Sequence, residues 1–105
     1  HSMADTLSDR IHDVIASIPT GREATYGQIA AMAGNPRAAR AVVWVLRHSE
    51  RLPWHRVINS RGTISLPPGD GFELQRALLL DEGVSVTPDG RVDLTRFLWN
   101  ATGGN

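Results

Sequence analysis

The sequence contains no cysteine and no lysine, and only 6% of its residues are aromatic. Without cysteine the chain can form no disulfide bond, no thiolate nucleophile and no thiolate metal site. Its four histidines, His1, His12, His48 and His55, lack the short spacings of a metal-binding helix or finger. We therefore expect neither a metal site nor a cofactor.

Long apolar runs are also missing. No segment approaches the ~20 apolar residues that span a bilayer, and no basic and then apolar leader opens the chain. These absences predict a cytoplasmic protein. The 105 residues, 41% hydrophobic and 21% charged, suit one folded domain over residues 3–105, which we expect to be a monomer. We expect His1 and Ser2 to be the remnant of a cleaved expression tag.

The net charge is zero overall but not locally. Residues 22–61 carry seven arginines and two acids, a net charge of +5, whereas the remainder carries four arginines and nine acids, a net charge of −5. A basic middle between acidic ends predicts one electropositive face for a polyanion, with chance clustering as the alternative.

Apolar residues at helical spacing predict three helices in the first half of the chain. Residues 5–18 form an amphipathic pattern, and Thr25 can cap a short helix over residues 26–33. Asn35 is placed to cap a third helix over residues 36–47, with a proline in its first turn. Two short helices joined by a glycine turn predict a helix-turn-helix, although generic helical hairpins have the same pattern.

The third predicted helix has two distinct faces. Its buried stripe should comprise Ala39, Val42, Val43 and Leu46. The opposite, exposed face should carry three guanidiniums and an indole, from Arg37, Arg40, Arg47 and Trp44.

A short hairpin is predicted next. Residues 55–58 and 63–65 flank the turn 59–62, and a hairpin at this position beside a helix-turn-helix is a wing. The predicted fold is therefore mainly α with small β hairpins, a winged helix-turn-helix DNA-binding domain.

The last third of the chain predicts a helix over residues 72–82 and a second hairpin over residues 84–94. The tail, residues 97–105, should dock through Trp99 and then fray.

Four short sequence motifs occur one after another along the chain. They are TYGQ at 25–28, GNPRAARAV at 34–42, PWHRVI at 53–58 and LLLDEG at 78–83. Together they resemble the C-terminal domain of O6-alkylguanine-DNA alkyltransferases, across residues ~5 to 84.

In those enzymes the segment equivalent to residues 53–56 reads Pro-Cys-His-Arg, and the cysteine takes the alkyl group from guanine. Here the residue is Trp54, whose indole cannot attack a saturated carbon. The chain thus resembles the alkyltransferase-like proteins. That resemblance implies a non-enzymatic damage sensor that binds O6-alkylguanine in double-stranded DNA from the minor groove by base flipping. It also implies that the protein channels the lesion to nucleotide excision repair proteins, and that the protein is associated with the bacterial nucleoid when it binds DNA.

The resemblance also implies roles for individual residues. Arg40 would enter the base stack and fill the space of the extruded nucleotide, and Tyr26 would crowd the neighbouring phosphate and contact the flipped base. Backbone carbonyls at Trp54 and Val57 would accept from the guanine amine, and the Trp54 indole would wall the pocket. The implied lesion pocket comprises Tyr26, Trp54, His55, Val57 and Glu82.

The implied DNA contacts are Thr25, Tyr26, Gln28, Arg37, Ala38, Arg40, Arg47, Arg56 and Arg61. Arg56 has an alternative role, which is to brace the pocket. His55 and Glu82, which activate the cysteine in the enzymes, would have nothing to activate and would remain a structural hydrogen-bond pair. Trp44 would lie along the DNA backbone or cover neighbouring apolar surface, and we favour the second.

Two other functions stay open. A winged-helix transcription regulator would prefer one operator in the major groove and would ignore alkylation. A hydrolase or transferase that uses His55 and Glu82 would remove lesions from DNA with time.

Overall fold

The computed structural model describes residues 6–100, which fold mainly into helices with one two-stranded sheet. In chain order the elements are α1 (Leu7–Ala16), β1 (Ala24–Thr25), α2 (Tyr26–Met32), α3 (Ala39–His48), a 3-10 helix (Trp54–Arg56), β2 (Val57–Ile58), α4 (Phe72–Asp81) and α5 (Leu94–Phe97). The mainly helical class is confirmed. The expected tag remnant at residues 1–2 and the end of the tail, residues 101–105, lie outside the described residues.

Capping boxes start the first two helices. Oγ1 of Thr6 accepts from the Asp9 amide at 3.1 Å, and the Asp9 carboxylate accepts from the Thr6 amide at 3.1 Å. Thr25 and Gln28 repeat this arrangement at the start of α2, at 3.0 and 3.2 Å. Each box pairs two amides that lack partners within the helix. The predicted cap at Thr25 is confirmed. No helix within residues 6–100 is long and apolar enough to cross a membrane.

Helix α3 begins later than the sequence predicts. The Asn35 side chain accepts from the Arg37 amide at 3.3 Å, and its carbonyl accepts from the Ala38 amide at 3.0 Å. Asn35 therefore closes a turn that contains Pro36, and the helix starts at Ala39 without a side-chain cap. The placement of Pro36 in the first helical turn was wrong, because this turn intervenes.

The buried stripe of α3 is rotated from its predicted position. Val42 and Val45 are buried, whereas Ala39 and Val43 are exposed and Leu46 is half-buried. Val42 and Val45 face the core, and Val43 lines a surface cleft instead. The predicted exposed face is confirmed for its four members, Arg37, Arg40, Trp44 and Arg47.

Two apolar clusters form the core. The first gathers α1, α2 and α3 through Ile11, Ile15, Ile18, Ala24, Ile29, Ala30, Ala33, Val42, Val45, Leu52 and Val57. The second comprises Ile58, Ile64, Leu79, Val84, Val86, Val92 and Phe97. Strand β2 joins the two clusters, because Val57 and Ile58 are neighbours whose side chains enter different clusters.

The predicted wing hairpin was wrong. Strand β2 pairs in parallel with β1, in the register Ala24 to Val57, rather than with residues 63–65. Thr63 instead forms an antiparallel bridge with Arg91. The close approach there depends on Gly62, whose φ is +76° and where a Cβ would lie 2.5 Å from the Val92 carbonyl oxygen. The two short apolar runs predicted as strands of the hairpin did not indicate that the residues they pair with lie far away in the sequence.

The last third of the chain matches its predicted secondary structure more closely than the wing region does. Helix α4 is confirmed, and residues 84–94 contain one antiparallel bridge, between Val86 and Val92. Helix α5 was not predicted, and the Asp93 side chain caps it. Trp99 packs against the first cluster, and its amide donates to the Glu23 carbonyl at 2.7 Å. The expected docking of the tail through Trp99 is confirmed.

Candidate nucleic-acid interface

A surface cleft of about 540 Å³ lies beside α3 and contains the residue at the position of the missing nucleophile. We call it the Trp54 cleft. Its lining residues are Tyr26, Val43, Leu46, Arg47, Trp54, Val57, Ser65, Leu66, Pro67 and Gln75. The structure thus brings together three of the five predicted pocket residues. The other two, His55 and Glu82, do not belong to the lining.

Local backbone structure presents the two aromatic walls. Tyr26 is the first residue of α2, directly after the Thr25 cap, and burial raises the pKa of its hydroxyl. Trp54 opens the 3-10 helix, where its amide donates to the Leu52 carbonyl at 2.7 Å. The Trp54 and His55 rings meet edge to face, with centroids 6.1 Å apart. Both aromatic residues therefore stand at the first position of a helix.

Gln75 is a cleft residue that the sequence analysis missed. It is buried on α4, and its Nε2 donates to the carbonyls of His55 and Val57 at 3.1 Å each. This amide fixes the 3-10 helix against α4. The sequence signal was a polar residue four positions before the buried Leu79, on the inward face of the helix.

His55 and Glu82 form the expected hydrogen-bond pair. His55 Nε2 donates to Glu82 Oε2 at 2.7 Å, and Arg56 Nη2 donates to the same oxygen at 2.6 Å. The Gly21 amide also donates to Glu82, at 3.1 Å. Burial alone would raise the pKa of the Glu82 carboxyl, but the hydrogen bonds from Arg56, His55 and Gly21 outweigh it and lower the pKa to about 2. The carboxylate thus joins three separate segments of the chain.

The contacts of Arg56 bear on its two open roles, a phosphate contact or a brace of the pocket. Besides Glu82, it donates to the Ile18 carbonyl and to Oγ1 of Thr20, both at 2.9 Å. Its side chain is only 17% exposed. Its nitrogens are directed to protein acceptors, which favours the bracing role over the phosphate contact, and the phosphate contact stays a prediction.

Glu23 is an unpredicted feature next to this network. It is fully buried, and neither carboxyl oxygen has a hydrogen-bond partner within the described residues. Burial, together with a smaller effect of the nearby Glu82, raises the pKa of this carboxyl to about 9, although Arg56 opposes the rise. Glu23 is therefore neutral at physiological pH.

We expect Glu23→Gln to become progressively more stable than the wild type as the pH rises from 4.5 to 9. The folded-state pKa is about 9 and the ordinary value is 4.5, so the wild type loses stability across this window. Glutamine does not titrate, and the difference in unfolding free energy should reach a few kcal/mol, given about 1.4 kcal/mol per pKa unit. Urea unfolding across this pH range measures it. Glu50→Gln, at an exposed glutamate, is the control. Parallel profiles for Glu23→Gln and the wild type would show that the buried carboxyl does not hold its proton.

Three of the predicted DNA-contact arginines lie on one exposed surface. Arg40 and Arg47 belong to α3, and Arg37 precedes it. None of them pairs with an acid among residues 6–100. No acid occurs from residue 36 to residue 48, so every side-chain charge of fixed sign along this segment is positive. Ala38, the N-cap of α3, is half-buried beside them.

The other predicted contacts have different surroundings. Thr25 and Gln28 form the α2 capping box, and Gln28 Nε2 also donates to the Trp99 carbonyl at 2.7 Å. Arg61 lines a separate groove of about 610 Å³ together with Arg91, and this groove shares no lining residue with the Trp54 cleft. The structure therefore does not bring Arg61 to the cleft.

Trp44 lies on the exposed side of α3, and the expectation that it covers neighbouring apolar surface stays a prediction. The side chain is 55% exposed and stacks on His48, with ring centroids 4.3 Å apart and an interplanar angle of 20°.

Comparison with known proteins identifies the family. Residues 6–84 match the family described as 6-O-methylguanine DNA methyltransferase, DNA binding domain. The chain belongs to this family. The resemblance expected from the four sequence motifs is thereby confirmed. This family member carries Trp54 where the sequence analysis places the alkyl-acceptor cysteine of the enzymes.

Individual relatives differ in whether they are named as methyltransferases. The chain is 48% identical over 99 residues to the DNA base-flipping protein of Escherichia coli strain K12, which covers 91% of this chain and 76% of that one. It is similar to Atl1 of S. pombe in complex with damaged DNA containing O6-carboxymethylguanine, with a TM-score of 0.79, 37% identity, and coverage of 90% of this chain and 94% of that one. The O6-methylguanine methyltransferase of Mycobacterium tuberculosis matches with a TM-score of 0.63 and 33% identity, over 89% of this chain and 55% of that one.

Proposed function

We propose that this protein is a non-enzymatic DNA-damage sensor that binds O6-alkylguanine flipped out of a duplex and channels it to nucleotide excision repair. The observation that carries the proposal is the Trp54 cleft, which places an indole at the nucleophile position directly beside an arginine-bearing helix. The relatives named as a DNA base-flipping protein and as Atl1 bound to damaged DNA support it.

Helix α3 docks in the minor groove as the second helix of a helix-turn-helix formed with α2. Arg40 enters the base stack and replaces the extruded nucleotide, which is least costly to extrude when its pairing is already weakened by alkylation. Arg37 and Arg47 neutralise phosphates. Their exposure and the lack of acids along the helix support this docking.

The Trp54 cleft holds the flipped base without reacting with it. Tyr26 contacts the base, and the indole of Trp54 packs against the alkyl group and excludes water. The carbonyls of Trp54 and Val57 accept from the guanine amine. His55 and Glu82 do not line the cleft and have a supporting role. They hydrogen-bond to each other, Arg56 holds the Glu82 carboxylate, and the pair activates no nucleophile.

The partners in this proposal are double-stranded DNA that contains O6-alkylguanine and the proteins of nucleotide excision repair. The protein binds as a monomer, and in bacteria the DNA-bound form is associated with the nucleoid. Thr25, Gln28 and Ala38 border the DNA near Tyr26 and Arg40, and Arg61 contacts a phosphate further along the duplex.

Titration of two matched duplexes, one with guanine and one with O6-methylguanine, tests this function. At several salt concentrations the alkylated duplex should bind more tightly than its unmodified match. Equal affinity would contradict lesion sensing. A strong preference for one sequence regardless of alkylation would instead favour a transcription regulator.

A further inference from the structure

Trp44 and His48 form an exposed aromatic pair on α3, here called the Trp44–His48 stack. Nδ1 of His48 donates to the Trp44 carbonyl at 2.8 Å, and this bond fixes the imidazole against the indole. The indole is nevertheless 55% exposed. An aromatic surface that is held by a stacking neighbour and is open to water is available for a binding contact.

The charge around the stack specifies the kind of partner. Arg40 lies four residues before Trp44 and Arg47 three residues after it, so both guanidiniums share its side of the helix. No acid occurs between residues 36 and 48. Neither Trp44 nor His48 lines the Trp54 cleft, so the stack lies outside the space for a flipped base.

We propose that the Trp44–His48 stack is a second DNA contact, which packs against the sugar–phosphate backbone one helical turn from Arg40. This inference rests on the proposed DNA-binding function. The indole face covers deoxyribose carbons, and its Nε1–H donates to a phosphate oxygen. His48 supports the indole from its opposite face. Because the backbone is the same in damaged and undamaged DNA, the contact contributes equally to both.

Trp44→Gln is therefore expected to weaken binding about five- to tenfold for the O6-methylguanine duplex and for its unmodified match alike. Leu74→Gln is the matched control, because Leu74 is also 55% exposed but lies on α4 outside the cleft lining. It should leave both affinities unchanged. Thermal unfolding of both variants checks that each remains folded.

Two results would overturn the inference. Unchanged affinity of Trp44→Gln for both duplexes would exclude a DNA contact of the stack. Loss of affinity for the alkylated duplex alone would place Trp44 in lesion recognition. Failure of the proposed function gives a different result, because the wild type would then show no preference for the lesion while Trp44→Gln still weakened binding to plain DNA.

A spectroscopic measurement tests the same contact with the Trp44 side chain intact. The double variant Trp54→Phe, Trp99→Phe leaves Trp44 as the sole indole. Acrylamide quenching of its fluorescence should decrease when an unmodified duplex is bound. Unchanged quenching in the bound state would contradict burial of Trp44 against DNA.

Discussion

Arg40→Ala is expected to weaken binding to the O6-methylguanine duplex on the order of 100-fold, because no side chain then fills the space of the extruded base. Binding to the unmodified duplex should fall only several-fold, as for the loss of one phosphate-directed charge. Arg40 is exposed and has no acidic partner among residues 6–100, so its truncation should not affect folding. Fluorescence anisotropy with the two matched duplexes measures both affinities.

Arg37→Ala provides the comparison for Arg40→Ala. Arg37 lies on the same exposed surface but before the first turn of α3, and we assign it to a phosphate. Its loss should weaken binding to both duplexes equally and reduce the slope of log affinity against log salt concentration by about one. Equal losses for damaged and undamaged DNA in Arg40→Ala would contradict base flipping by Arg40.

Glu82→Ala should lower the free energy of unfolding by about 3 kcal/mol, because it leaves the mostly buried Arg56 guanidinium without its carboxylate. It also removes the acceptor for His55 and for the Gly21 amide. Since Glu82 joins the first turn after α1, the 3-10 helix and α4, we expect the Trp54 cleft to loosen as well. Urea unfolding and lesion binding measure the two effects.

Asp81→Ala is the control for Glu82→Ala, since Asp81 is the preceding residue and is exposed. It should change stability little. The lowered pKa of Glu82 adds a pH signature: the wild type loses the contribution of this carboxylate as the pH falls from 4.5 through about 2, and Glu82→Ala has no such loss. A stability difference that is constant across this acid range would contradict the carboxylate–guanidinium network.

Local signals in the sequence were sufficient to predict three of the helices. Capping residues and apolar spacing placed α1, α2 and α4 within a few residues, because both signals act over one or two turns. The pairing of β2 was not predictable, since two-residue strands carry no register and the partner Ala24 lies 33 positions away from Val57. The bridge between Thr63 and Arg91 was not predictable for the same reason, since these two residues also lie far apart in the sequence.

The sequence predicted the two aromatic residues of the cleft and the exposed arginines of α3, but it did not predict the residues that support the cleft. Tyr26, Trp54 and Val57 meet in one cleft as the family resemblance implied. Val43 was assigned to the core because its spacing on α3 suits a buried stripe, yet it lines the cleft. Gln75 and Glu23 were missed because polar residues on inward positions are recognised only once their neighbours in space are known.

The central claim is that the lesion is held and not repaired. The most direct measurement is to incubate excess protein with an O6-methylguanine duplex, recover the DNA from the complex, and quantify the modified base by mass spectrometry. Trp54 offers no acceptor for the methyl group, so all O6-methylguanine should be recovered unchanged from DNA that was retained by the protein. Recovery of unmodified guanine in proportion to the protein added would contradict a sensor without chemistry.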